Sequence, residues 1–154
     1  MKRFQFLALL LASSLLLAYG AAQVEAPKRT PSPAGAKVYI VSPTNGATVP
    51  KNFKVIFGLT GMGISPAGIT VEGAPIPNTG HHHLLVDVVA LSSMAEPVPS
   101  TNTVQIMHFG KGQTETMLDL PPGRHTLQLV FADHAHVPHD PPVVSEKITI
   151  TVQP

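Results

Sequence analysis

Residues 83 to 91 read HLLVDVVAL, with apolar side chains at odd and even positions alike. Periodicity alone does not decide whether such a run is a helix or a strand buried on both faces. Its β-branched valines and the turn residues around it favour a strand, and one with no wet face belongs in the middle of a sheet.

Outward from this segment the period-two signature of half-buried strands recurs. Phe53, Val55, Phe57 and Leu59 alternate with Lys54 and Gly58, and His125, Leu127, Leu129 and Phe131 alternate with Arg124, Thr126 and Gln128. A last strand is expected over Val143–Val152, with Ile148, Ile150 and Val152 inward and Lys147, Thr149 and Thr151 outward. Shorter strands fit around Val38–Ile40 and at Ile69–Val71. Thr103–Phe109 and Thr114–Leu120 read as a hairpin about Gly110-Lys111-Gly112. Thr44-Asn45-Gly46 and Pro121-Pro122-Gly123 have the chemistry of tight turns. About seven short strands with turn signals every ~8–12 residues predict an all-β, immunoglobulin-like antiparallel β-sandwich. The chain has no Cys and no Trp, so the Cys–Trp–Cys core of antibody domains is absent and the likeness is architectural.

The ends are read differently. Lys2 and Arg3 precede an uncharged run from Phe4 to Ala18, and small residues follow through Ala22, the pattern of a secretory signal over residues 1–22. The run is shorter than the ~20 residues of a spanning helix. A soluble periplasmic or secreted protein is expected, with no membrane insertion after cleavage. Residues 23–36 (QVEAPKRTPSPAGA) read as a Pro-rich flexible linker, and 37–153 as one sandwich domain. Without Lys2 and Arg3, the ten basic residues become eight against nine acidic ones. That balance gives no electrostatic case for nucleic acid.

All eight histidines fall between His81 and His139, and no thiol competes with them. Imidazole is the commonest metal ligand among side chains and titrates near neutral pH. On a strand, His81 and His83 share one face and His82 the other. The same spacing recurs at His134 and His136. His108 ends its own strand beside a glycine turn, and His139 lies in a Pro-rich segment. The expected metal ligands are therefore His81, His83, His108, His134, His136 and His139. His82, Asp87, Asp133 and Asp140 are expected to orient them, or to join in a hydrogen-bonded network that locks the loops. His125 lies in line with core residues and reads as structural. Copper(II) and zinc both accept imidazole, while a blue-copper site is excluded for want of a thiolate. The Met107 side chain points away from that of His108.

Three functions fit. The first is metal binding, delivery or buffering. The second is an interaction module that docks on an envelope protein and uses its histidines structurally. The third is a small metalloenzyme in which three imidazoles leave a position open for water. Phe109–Thr114 lacks the spacing of a phosphate loop and reads as a turn. There is no Gly-x-Ser-x-Gly elbow, and the acidic residues are too scattered for paired-carboxylate hydrolysis.

Four blocks carry a resemblance: SPTNGATVP (42–50), NTGHHHLLVD (78–87), HFGKGQTET (108–116) and LPPGRHTLQLVFADHAHVPHDPPVVSEKITI (120–150). They resemble the bacterial exported family known as domain of unknown function 4399. The resemblance implies an exported domain, and its blocks hold His81–His83, His108 and His134–His139.

Overall fold

The computed structural model describes residues 29–154. The signal-peptide reading and the first part of the linker lie outside the described residues. Twelve strands and no helix make up the described chain: β1 (Lys37–Ser42), β2 (Thr48–Val49), β3 (Asn52–Thr60), β4 (Gly63–Ile64), β5 (Thr70–Val71), β6 (Ala74–Pro75), β7 (Thr79–Val86), β8 (Ile106–His108), β9 (Glu115–Asp119), β10 (Gly123–Ala132), β11 (Pro138–Val144) and β12 (Ile148–Val152).

Two sheets pack face to face, as the alternating patterns require. One has the order β1-β3-β9; the other runs β2-β12-β10-β7-β4, with β11 also on β10 and β8 also on β7. The long pairings are antiparallel, whereas the two-residue strands β2 and β4 join their neighbours in parallel. Phe53, Val55, Phe57 and Leu118 from the first sheet meet Leu84, Val86, Leu127, Leu129, Phe131 and Ile150 from the second, and all are buried. A second apolar cluster covers the opposite face of the larger sheet. There Leu85 and Val130 pack under Val98, with Leu91 and Ile106 at their margin. The segment after β7 thus folds back over its own sheet, and this explains why HLLVDVVAL has no polar face.

Three expectations change in detail. First, the central strand is shifted towards its N-terminus and ends at Val86. Asp87 stops it: its φ is 58°, and its carboxylate accepts the Thr126 amide at 2.7 Å and contacts His125 Nδ1 at 2.7 Å. Second, the hairpin about Gly110–Gly112 does not form. β8 pairs with β7 in one sheet and β9 with β3 in the other, so the connection crosses between layers. Third, the last expected strand is two. Around Ser145 the chain breaks step with β10: the Ser145 hydroxyl accepts the Leu129 amide and donates to the Glu146 carbonyl.

The described part of the linker is fastened down. Arg29 donates to the carbonyls of Pro138 and His139 and pairs with Asp140 at 3.3 Å, while the Thr30 hydroxyl donates to Asp133 at 2.6 Å. Arg29–Ala36 therefore holds the start of β11 and the turn before it.

Candidate metal centre

The run of three histidines begins one residue into the buried core of β7. Alternation sends His82 to the sandwich interior and His81 and His83 to the opposite face, and all three are fully buried. The register of β8 then sets His108 directly across from His83. A tight turn after β10 supplies one more ring. The Asp133 carboxylate accepts the amides of Ala135 and Val137 at 2.9 and 3.0 Å, and His136 takes a φ of 69°. This carries the His136 ring back over β7.

Four imidazoles meet on this face. The ring centroids of His81, His83 and His108 are 4.8, 5.0 and 5.1 Å apart, and that of His136 lies 5.0, 5.9 and 4.8 Å from them in turn. His81, His83 and His108 form a group able to hold a metal ion, each offering a nitrogen within 4.8 Å of the others. His136 is not part of that set. Gly110 makes room for the arrangement, because a Cβ there would overlap the His108 ring.

Both ring nitrogens of His81 and of His83, and Nε2 of His108 and of His136, are buried with no hydrogen-bond partner. An unpaired buried polar atom costs about 1–3 kcal/mol, and folded proteins pair nearly all of theirs. Six such atoms on four touching rings are the signature of nitrogens arranged for something other than the protein. The electrostatics agree in sign. Burial first, and then like charge on His136 and His108, holds His81 down at about 3, with Asp133 pulling the other way. Burial, and then His81, His108 and His136, hold His83 at about 2. Burial and His136 lower His108 as well. Rings kept neutral in this way have free lone pairs, the form that binds metal.

The other expected residues lie elsewhere. His134 precedes the inward bend of the turn; its Nδ1 is also buried without a hydrogen-bond partner, but its ring is not among the imidazole pairs of the cluster. His139 is buried against Phe131, with Nε2 3.1 Å from the Thr79 carbonyl, so that ring is already committed. His82 does not join a carboxylate network. It packs between Phe57 and Phe131 at 5.2 and 5.1 Å, and burial lowers it to about 4. The Gln113 backbone offsets that burial in part, yet neither nitrogen makes a hydrogen bond of good geometry. Asp140 pairs with Arg29 at the surface. Asp87 serves His125 at the far end of β7, and the Pro121 carbonyl lies 2.9 Å from the other nitrogen of His125. Burial opposes the His125 charge, but the Asp87 and Pro121 hydrogen bonds outweigh it and raise the ring above 6.5.

Of the three carboxylates expected in support, Asp133 alone stands by the cluster. It acts on His136 through the turn rather than as a ligand. Asp133→Ala should lower metal affinity by roughly 10–100-fold, the usual cost of removing a group that orients a ligand. Competition against a chromophoric chelator measures this, and an unchanged affinity would show that the turn holds His136 without the carboxylate.

Fold and site together define a β-sandwich with a buried imidazole cluster beside its central strand. The family model described as Domain of unknown function (DUF4399) matches residues 55–153, and the chain belongs to that family. No curated protein matches the sequence. Among solved structures, the X-ray structure of the endo-beta-1,4-mannanase from Thermotoga petrophila is similar at 14% identity and a TM-score of 0.41. The match covers 77% of this chain and only 20% of that one, a likeness too loose to bear on fold or function.

Proposed function

We propose that this is an exported protein that binds a transition metal ion, copper(II) or zinc, at the histidine cluster, for binding, delivery or buffering. The observation that carries the reading is the group of buried, unpartnered nitrogens on His81, His83 and His108, with His136 beside them. The donor set is all imidazole, which suits both ions. Export rests on the basic and then apolar N-terminus, and places the site in a compartment where ions arrive without the cytoplasmic thiol pool.

Titration of the untagged protein with zinc and with copper(II) tests the reading. One equivalent should bind more tightly than micromolar, and binding should persist while the folded rings stay neutral, failing in acid as the unfolded chain, whose imidazoles take protons below about 6.5, becomes populated. Failure of both ions to bind at micromolar concentration sinks the proposal and leaves the histidines as structural groups of an envelope interaction module.

A further inference from the structure

The six ring separations carry more than the presence of a site. With a metal–nitrogen bond of ~2.0 Å and a ring centroid ~1.2 Å beyond the nitrogen, tetrahedral ligation places every pair of centroids ~5.2 Å apart. Square-planar ligation by the same rings gives four separations of ~4.5 Å and two of ~6.4 Å. Five of the observed separations lie between 4.8 and 5.1 Å, and the sixth, His83 to His136, is 5.9 Å. No pair of rings stands opposite another across a plane. The arrangement is a slightly stretched tetrahedron.

The geometry points to a closed, four-imidazole tetrahedral site made by His81, His83, His108 and His136, whose ion is zinc. This rests on the reading of the cluster as a metal centre and goes beyond it in naming the fourth ligand, the coordination and the ion. Zinc has no geometric preference of its own and takes four tetrahedral ligands in closed sites. Copper(II) binds most nitrogen donors more tightly than zinc does, but it prefers a tetragonal array that these rings do not offer. Selection here comes from shape. His81 and His83 are fixed by β7 and His108 by the register of β8, so three ligands are set by the sheet. His136 comes from a turn and completes the tetrahedron. Its nitrogen has the furthest to move, because it lies outside the 4.8 Å set while ligands on one ion stand ~3.3 Å apart. With four protein ligands no position is left for water, so the site holds its ion rather than catalysing hydrolysis at it.

Cobalt(II), a visible-light reporter for zinc, supplies the test. The untagged protein loaded with cobalt(II) should show the intense visible bands of tetrahedral coordination, and X-ray absorption of the zinc form should show four nitrogens at ~2.0 Å. His136→Ala should lower zinc affinity roughly 100-fold and shift the cobalt bands as water takes the fourth position, whereas His134→Ala leaves both as they were. Weak six-coordinate cobalt bands in the wild-type protein, or His136→Ala binding zinc as tightly as wild type, would overturn the tetrahedral assignment while leaving metal binding in place. Absence of any bound zinc or cobalt overturns the zinc assignment, and the reading of the cluster as a metal centre falls with it when copper(II) fails to bind as well. The wild-type spectrum decides the coordination even if the variant folds poorly.

Discussion

Alanine at His83 and His136 together should cost the protein its tight metal binding and leave its fold intact. Structural zinc sites bind with about 10–16 kcal/mol shared among four ligands, so each imidazole is worth roughly 3 kcal/mol, or ~100-fold. Losing two should weaken binding by about four orders of magnitude and carry it out of any useful range. The fold should survive, because His83 and His136 lie outside the main sandwich core and their buried nitrogens satisfy nothing in the protein. Removing an unpartnered buried nitrogen relieves about 1–3 kcal/mol, which offsets part of the cavity left by the ring. Competition titration beside far-UV circular dichroism measures both. His125→Ala is the control: it breaks the contact with Asp87 at the far end of β7 and leaves metal affinity alone. Should the double variant still bind within tenfold of wild type, the ion sits elsewhere.

The strands that could be read in advance are those whose information is local. Alternation over Phe53–Leu59, Arg124–Phe131 and Ile148–Val152 follows from side chains pointing to opposite faces, and β3, β10 and β12 keep that phase. Pairing is not local. Nothing in Thr103–Leu120 says that its two halves join different sheets, because the partners β7 and β3 lie some twenty to sixty positions away. A glycine turn between two strand-like runs ordinarily makes a hairpin. Here the burial of Met107 on one side and Leu118 on the other drew them apart.

The same distinction divides the histidines. His81 and His83 share a face because they lie on a strand, and the spacing was enough to see it. His134 and His136 have equal spacing but sit in a turn, where the left-handed His136 breaks the alternation and brings its own ring, not that of His134, against His81, His83 and His108. His139 gave no signal of its commitment to the Thr79 carbonyl, since that contact depends on the approach of β11 to β7. Gly110 was legible as a turn residue, but its second role, leaving space for the His108 ring, needs the third dimension. Arg29 and Thr30 looked like tether because their partners, Asp133 and Pro138–Asp140, are a hundred residues away.

Acid should unfold the metal-free protein steeply. Burial holds His81 at about 3, His82 at about 4 and His83 at about 2, against an ordinary 6.5. Above pH 6.5 the three rings are neutral whether folded or not, and stability does not depend on them. Below 6.5 the unfolded chain binds protons that the folded chain refuses, so stability falls as pH drops, by about 1.4 kcal/mol per pH unit for each ring. Three rings give about 4 kcal/mol per unit, and two units remove about 8 kcal/mol, comparable with the whole stability of a small domain. His125 works in the opposite sense. Its raised value means that its contribution is fully present below 6.5 and is lost as pH rises through the folded value, so it adds stability as pH falls to about 6.5 and leaves the slope below that unchanged. Asp87, lowered by His125 and the Thr126 amide against its burial, stays ionised throughout this window. A bound ion reverses the balance, because a coordinated ring stays neutral and each proton must displace the metal. Acid titration followed by circular dichroism should therefore show a multi-proton transition for the chelator-treated protein and a midpoint at lower pH once zinc is restored. A metal-free protein equally stable at pH 7 and pH 4.5 would mean that these imidazoles reach water in solution, and the buried centre built on them would not exist.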